Sequence, residues 1–238
     1  MATGTSAALA FKPGVFDVYD AYEQLALDEA VLNLSAPDSL ILRFYRWKGP
    51  VVTFGYGQPL AYARRAAQEK GLSCAALARR LTGGGVVFHD GDITFSVVFP
   101  WQRLCSPRLI YRNMHRGVHL GLKADGIPSR LWSGPASKSG SPLEKQCFSA
   151  PQAIDIVDGQ GRKALGGALR RRGRRGLYQG SMRPEIFARP RDVLEAAITR
   201  GLELGWGRPA QSRMESAWIA AARVLVEKYK SDEWNNKR

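Results

Sequence analysis

Three stretches of this 238-residue chain carry residue types that could do chemistry. The first is Arg79-Arg80-Leu81-Thr82-Gly83-Gly84-Gly85, with His89 shortly after it. Glycines let the backbone approach a ligand closely and turn N–H groups toward anionic oxygens, and the two arginines would add charge. His89 supplies a group that titrates near neutrality. The run fits neither the G-x-G-x-x-G nor the Walker pattern; the plainer account is a tight turn before a strand and a structural histidine. The second stretch sets Lys163 just before Gly166-Gly167-Ala168. A lysine there could hold a carbonyl or phosphate oxygen as a point charge, or it could be a solvated edge residue. The third is Cys147, whose thiolate would be favoured by nearby Lys145; the plainer account is an inert small hydrophobe. His115 and His119 share an i,i+4 spacing without an acidic ligand nearby, so they read as part of a polar helix face and no metal site is expected.

The composition narrows the classes. Hydrophobic residues make up 45% and charged residues 24%, which excludes disorder as the main state and allows a sizeable core. No apolar run approaches the ~18–20 residues that span a bilayer, and Met1–Gly14 lacks the pattern of a signal peptide, so a soluble, cytoplasmic protein is expected. Three scattered cysteines without a CxxC pair agree with a reducing compartment. The net charge of +14 is the unusual feature, and seven basic residues fall between Arg162 and Arg175 with no acid among them. Such a cluster attracts a polyanion or an acidic protein. A nucleic-acid-binding domain would use it too, but would leave the glycine run, Lys163 and Cys147 unexplained.

These residues must be positioned by a mixed set of elements. Asp20 and Glu23 have capping-box spacing ahead of a helix over about 20–34. Leu40–Trp47 and Val51–Phe54 read as strands, Leu60–Lys70 as a short helix. Val86–Phe88 and Ile93–Phe99 read as two paired strands with a glycine-rich entrance. Ser106-Pro107 opens the clearest helix, with Ile110, Met114, Val118 and Leu122 four residues apart. Gly126–Lys145 reads as a long loop that could close over a bound group. Ile154–Val157, Lys163–Leu169 and Leu177–Met182 form an antiparallel meander joined in part by an Arg/Gly turn. Helices over about 190–203 and 213–230 precede a polar tail, Ser231–Arg238. Without regular βαβ alternation the class is α+β.

Taken together, RRLTGGGVVFHDGDITFSVVF, DIVDGQGRKALGGALRR and GLYQGSM, with QLALDEA (Gln24–Ala30) and VVTFGYGQ (Val51–Gln58), resemble the lipoate–protein ligase and octanoyltransferase family over about residues 20–200. The resemblance implies a biotin/lipoate protein ligase-like catalytic domain, a mixed and largely antiparallel sheet flanked by helices. It implies one catalytic unit over 1–238, with a core at about 16–205 and a helical segment at about 206–238. It also implies that Arg79, Arg80, Thr82, Gly83, Gly84, Gly85 and His89 line an acyl, carrier or adenylate site. Lys163 would contact the acyl carbonyl, with Gly166, Gly167 and Ala168 beside it and Asp155 as an acidic position ahead of it. Two positions depart from the family pattern: its histidine is replaced here by Tyr178 or Gln179, and Gly167 stands where Ser or Ala is usual.

Either family mechanism must activate the acyl group, because a lysine amine with a pKa near 10.4 is free in only about one molecule in 2,500 at neutral pH. Cys147-Phe148 with Pro151, sixteen residues before Lys163, resembles the cysteine-dependent octanoyltransferases. That resemblance favours transfer from an acyl carrier protein thioester through Cys147 to apo lipoyl domains or a glycine-cleavage H-type protein, with no cofactor. The alternative is a ligase using ATP and Mg²⁺ to form lipoyl-AMP. The chain is short enough to lack the accessory domain found in some ligases. Arg170, Arg171, Arg172, Arg174 and Arg175 would form a rim that steers an acidic carrier into place.

Overall fold

The computed structural model describes residues 18–102, 105–134, 146–207 and 215–237. Strand β1 (Val18–Tyr19) leads into helix α1 (Ala21–Leu34), whose capping box is complete: Asp20 accepts from the Tyr22 and Glu23 amides, and Glu23 accepts from the Asp20 amide. There follow β2 (Ile41–Trp47), β3 (Val51–Phe54), α2 (Leu60–Glu69), β4 (Ala76–Arg79), β5 (Val87–His89), β6 (Ile93–Pro100) and α3 (Pro107–Ala124). The second half holds β7 (Arg130–Leu131), β8 (Ile156–Val157), β9 (Lys163–Arg172), β10 (Arg175–Met182), α4 (Arg191–Trp206), α5 (Ser216–Lys230) and α6 (Asp232–Asn235).

The strands form two sheets. Seven run in the order β1-β2-β6-β10-β9-β8-β7, antiparallel except for the β1–β2 pair. Three form a small sheet in the order β4-β3-β5, with β3 parallel to β4 and antiparallel to β5. The expected pairing of Val86–Phe88 with Ile93–Phe99 does not occur. β5 pairs with β3 and β6 lies between β2 and β10, so His89–Asp92 is a crossing between sheets. The meander β8-β9-β10 is present as expected, but β9 continues through Arg170–Arg172, leaving a tighter turn at Gly173.

Alternation along β6 separates two cores. Ile93, Phe95, Val97 and Phe99 are buried against Ile110, Met114, Val118 and Leu122 of α3 and Leu194, Ile198 and Leu202 of α4. Burying each such side chain contributes on the order of 1.5–3 kcal/mol. The opposite face, Thr94, Ser96 and Val98, looks toward α1 and the small sheet. Helices α3 and α4 approach so closely that a Cβ on Gly121 would sit 2.0 Å from the Ala197 carbonyl oxygen. The tail after Ser231 is not a solvated strip: it forms α6, whose Trp234 and Asn235 are buried against β4. The C-terminal half of the Gly126–Lys145 loop, residues 135–145, lies outside the described residues, and its first half contains β7.

Candidate active site

Lys163 opens β9, and its ammonium is buried with three acceptors for its three protons. Nζ lies 2.7 Å from the Cys147 carbonyl oxygen, 2.7 Å from Asp155 Oδ2 and 3.6 Å from Cys147 Sγ. Burial works against the charge, but Cys147 and the Asp155 carboxylate outweigh it and hold the Lys163 pKa above its ordinary value. Cys147 is itself placed by a parallel bridge between Val86 and Gln146, with its amide donating to the Val86 carbonyl at 2.7 Å. Gly166 makes the contact possible. A Cβ there would meet Lys163 Nζ at 2.7 Å and Cys147 Sγ at 3.2 Å.

The glycine run folds over a buried arginine. Arg80 donates to the carbonyls of Gly83 and Gly85, both at 2.9 Å, and to Thr53 Oγ1 at 2.8 Å. Burial lowers its pKa to about 10, partly offset by Cys147 and Tyr45. Gly84 adopts the left-handed backbone (φ 86) that this turn requires and that a side chain would disfavour. His89 takes Thr53 on Nε2 at 2.8 Å and Asp92 on Nδ1 at 3.0 Å, and its ring lies 4.5 Å from that of Trp47. Burial pushes the Asp92 carboxyl up, yet His89 and the Ser181 and Thr94 hydroxyls overcome this and hold it below the usual carboxylate value.

Cys147, Arg80, Gly84 and His89 line a narrow cavity of about 30 Å³ between the two sheets. Gly84 and Arg80 form one wall, Gly166, Gly167 and Ala168 another, with Cys147 beside them and Trp47, Thr94 and His89 across. Its polar lining is already engaged. Gln179 accepts from Thr82 and donates to Asp28, Ser181 and Thr94 donate to Asp92, and Trp47 Nε1 donates to Thr94. An apolar group placed against this lining leaves these donors and acceptors paired. Sequence reasoning missed the group beneath: Asp28, buried in α1, accepts from Arg43, Tyr45, Ser96 and Gln179. Its one signal was the i,i+4 pairing of Gln24 with Asp28 in an otherwise apolar helix face.

Several expected site residues lie elsewhere. Arg79 turns away from the cavity and donates to the backbone carbonyls of Tyr56, Trp234 and Asn235, because α6 covers the outer side of β4. Thr82 reaches the site only through Gln179, while Gly83 and Gly85 serve as acceptors for Arg80. Asp155 stands behind Lys163 rather than in the cavity. The arginine cluster divides by strand alternation: Arg170 stacks over Tyr56, Arg172 reaches Glu29, and Arg171 lies over Trp101. Arg175 donates to the Asn33 carbonyl, and Arg174 sits in the turn. His115 is not on a polar face. It is buried on the core side of α3 and bonded to the Tyr178 hydroxyl at 2.8 Å, while His119 bonds to Ser129. Among the described residues no three His, Cys, Asp or Glu side chains come together as a metal site.

The fold is shared with solved lipoate–protein ligases. Protein Ta0514 of T. acidophilum, solved with bound lipoic acid, superposes with a TM-score of 0.74 at 26% identity over 92% of this chain and 95% of its own. A lipoate-protein ligase A bound with ATP gives 0.73 at 24% identity, covering 92% and 94% of the two chains. The sequence profile of the lipoyl protein ligase A/B catalytic domain matches residues 20–186, and the chain belongs to that family. Octanoyltransferase LipM of Moorella thermoacetica is 35% identical over 175 residues, 69% of this chain and 62% of that protein, so this chain spans less than two thirds of that relative. Octanoyltransferase LipM of Staphylococcus aureus is 27% identical over 267 residues, 90% of this chain and 94% of that protein. Helices α4, α5 and α6 lie beyond the segment matched by the family profile.

Proposed function

We propose that this protein transfers an octanoyl group from an acyl carrier protein thioester to the lysine of an apo lipoyl domain, by way of Cys147. The observation that carries the reading is the Cys147 thiol on the wall of an apolar cavity, 3.6 Å from the buried Lys163 ammonium. The names of its octanoyltransferase relatives support it. In the first step the Cys147 thiolate attacks the acyl carbonyl, and Lys163 stabilises the oxyanion as it forms. The bond to the carrier sulfur breaks, and the carrier thiol leaves with the proton that Cys147 gave up. In the second step the acceptor amine attacks the acyl-cysteine, an amide forms, and Cys147 leaves as thiolate while the amine loses its proton. An apolar cavity wall beside Cys147 limits the access of water to the thioester. Residues 1–238 work as one unit in this reading, the helical segment from 206 packing α5 on α1 through Trp218, Ala222 and Tyr229.

The arginines at the end of β9 serve the same reading as a docking rim. Arg170, Arg172, Lys228 and Lys237 border a groove whose one acid is Glu29, already held by Arg172, Lys228 and Tyr229. Excess positive charge there suits an acidic lipoyl domain, an H-type protein or an acyl carrier. ATP-dependent ligation is the second reading. The Arg80 guanidinium on the cavity wall suits an acyl phosphate as well as a thioester oxygen, and ATP with Mg²⁺ would supply the activation.

One experiment separates the two. An apo lipoyl domain is incubated with octanoyl carrier protein without ATP, or with free lipoate, ATP and Mg²⁺, and its intact mass is followed with wild type and Cys147→Ala. Modification from the carrier that is lost in Cys147→Ala supports transfer; modification that requires ATP and survives the substitution replaces it with ligation.

A further inference from the structure

Behind Lys163 lies a set of side chains that the transfer steps do not use. Asp155 is fully buried, and its two oxygens have different partners. Oδ2 takes Lys163 Nζ at 2.7 Å and the Gln152 amide at 2.6 Å, while Oδ1 accepts from the Tyr111 hydroxyl at 2.6 Å. That same hydroxyl accepts from the Gly167 amide at 3.2 Å. β8 pairs with β9 only as far as Leu165, so Tyr111 supplies the partner that the strand ladder no longer gives Gly167. One phenol on α3 thereby ties the carboxylate to the strand that carries Lys163.

Tyr111 in turn packs against a bonded pair of rings. Its ring stacks on His115 with centroids 4.1 Å apart, and Tyr178 lies 6.2 Å away with its hydroxyl bonded to His115. Ile154 adopts a left-handed backbone (φ 76) immediately before Asp155, a strained conformation for a β-branched residue. The direction of the carboxylate is therefore imposed by its surroundings. Tyr178 also accounts for Gly167, because a Cβ there would meet its ring and hydroxyl at 2.3 Å.

We propose that Tyr111 is a positioning residue for acyl transfer: packed against the bonded His115–Tyr178 pair, it holds Asp155 and β9 in register so that the Lys163 ammonium faces Cys147. The proposal rests on the roles given above to Cys147 and Lys163. By sharing the charge on Asp155, the phenol keeps the ammonium from being drawn wholly onto the carboxylate. The charged and titratable groups that act on Cys147 are Lys163, Arg80, Tyr111 and Tyr178, with Asp155 acting through Lys163.

The test is Tyr111→Phe, which keeps the ring stack and removes both hydroxyl contacts. Alkylation of Cys147 by iodoacetamide, read at its own peptide by mass spectrometry, reports thiolate character without substrate. The rate near pH 7 relative to that near pH 10 falls about threefold in the variant, because the less shared carboxylate charge opposes the thiolate. For octanoyl transfer, kcat falls about tenfold while KM stays within about twofold, as expected for misplacement of a group that acts in the transition state. An unchanged alkylation ratio overturns the proposal, whatever happens to the melting temperature. A lowered ratio in a protein whose wild type moves no octanoyl group supports the positioning role and overturns the transfer reading instead. Should Tyr111→Phe not fold, Tyr178→Phe breaks the bond to His115 that steadies the ring against which Tyr111 stacks, leaves both Tyr111 bonds in place, and carries the same test with a smaller fall expected.

Discussion

Gly166→Ala separates stability from activity at this site. The added Cβ would lie 2.5 Å from Lys163 Cε and 2.7 Å from Nζ, against 3.2 Å from Cys147 Sγ. The near atoms belong to the far end of a flexible side chain, so the lysine can swing aside without moving the strand. To regain ordinary contact Nζ must retreat by roughly 1 Å, and a displacement of that size costs on the order of 10²-fold in rate. That corresponds to about 2.7 kcal/mol of lost transition-state stabilisation. Folding loses far less, because the retreating ammonium can keep its bond to Asp155, and the melting temperature falls by no more than about 4 °C. Octanoyl transfer kinetics with a purified apo lipoyl domain, set beside a calorimetric melting curve, measure both. Near wild-type kcat/KM would refute the reasoning, since it would mean that the Lys163–Cys147 spacing is not what the reaction depends on.

Other outcomes follow from buried groups. His115 is held at a pKa of about 4 by burial, despite the opposing pull of Asp155 and the Ile154 carbonyl. Its folded value lies below the unfolded one near 6.5, so the unfolded chain binds the proton first: the stability contribution is full above pH 6.5, is lost as pH falls toward 4, and totals about 3 kcal/mol. Urea unfolding at several pH values checks this, and His115→Gln flattens the curve in that window. Arg79→Met leaves the carbonyls of Trp234 and Asn235 without their donors and lowers the melting temperature by about 6–12 °C, while alkylation of Cys147 in the folded protein stays unchanged. Replacing Arg170 and Lys237, which border the groove without holding Glu29, by Gln lowers kcat/KM at low salt and weakens its dependence on ionic strength; unchanged kinetics at low salt would remove the docking rim.

Local signals were readable where the structure is local. The capping box at Asp20 and Glu23, the four-residue spacing from Ile110 to Leu122 and the turns of the β8-β9-β10 meander each lie within one element or one hairpin. Pairings between distant segments were not readable. β5 and β6 look like a hairpin because only Asp90-Gly91-Asp92 separates them, but β3 competes for β5, and the choice depends on contacts far apart in sequence. β4, Ala76-Leu77-Ala78-Arg79, has little intrinsic strand preference and exists because β3 pairs with it. Buried polar residues misled most. Arg79, His115 and Asp28 have the composition of surface positions, and only the packing of α6, Tyr178 and Gln179 against them shows what they do. The proximity of Cys147 to Lys163 followed from the family resemblance, since sixteen residues and a strand turn separate them in the chain.

The central claim is a covalent acyl group on Cys147, and the enzyme's own mass tests it most directly. Incubated with octanoyl carrier protein and no acceptor, the wild type should gain one octanoyl group that maps to Cys147, is released by hydroxylamine and moves to an apo lipoyl domain on its addition. No adduct on the wild type, together with acceptor modification that appears only with ATP, would contradict the account.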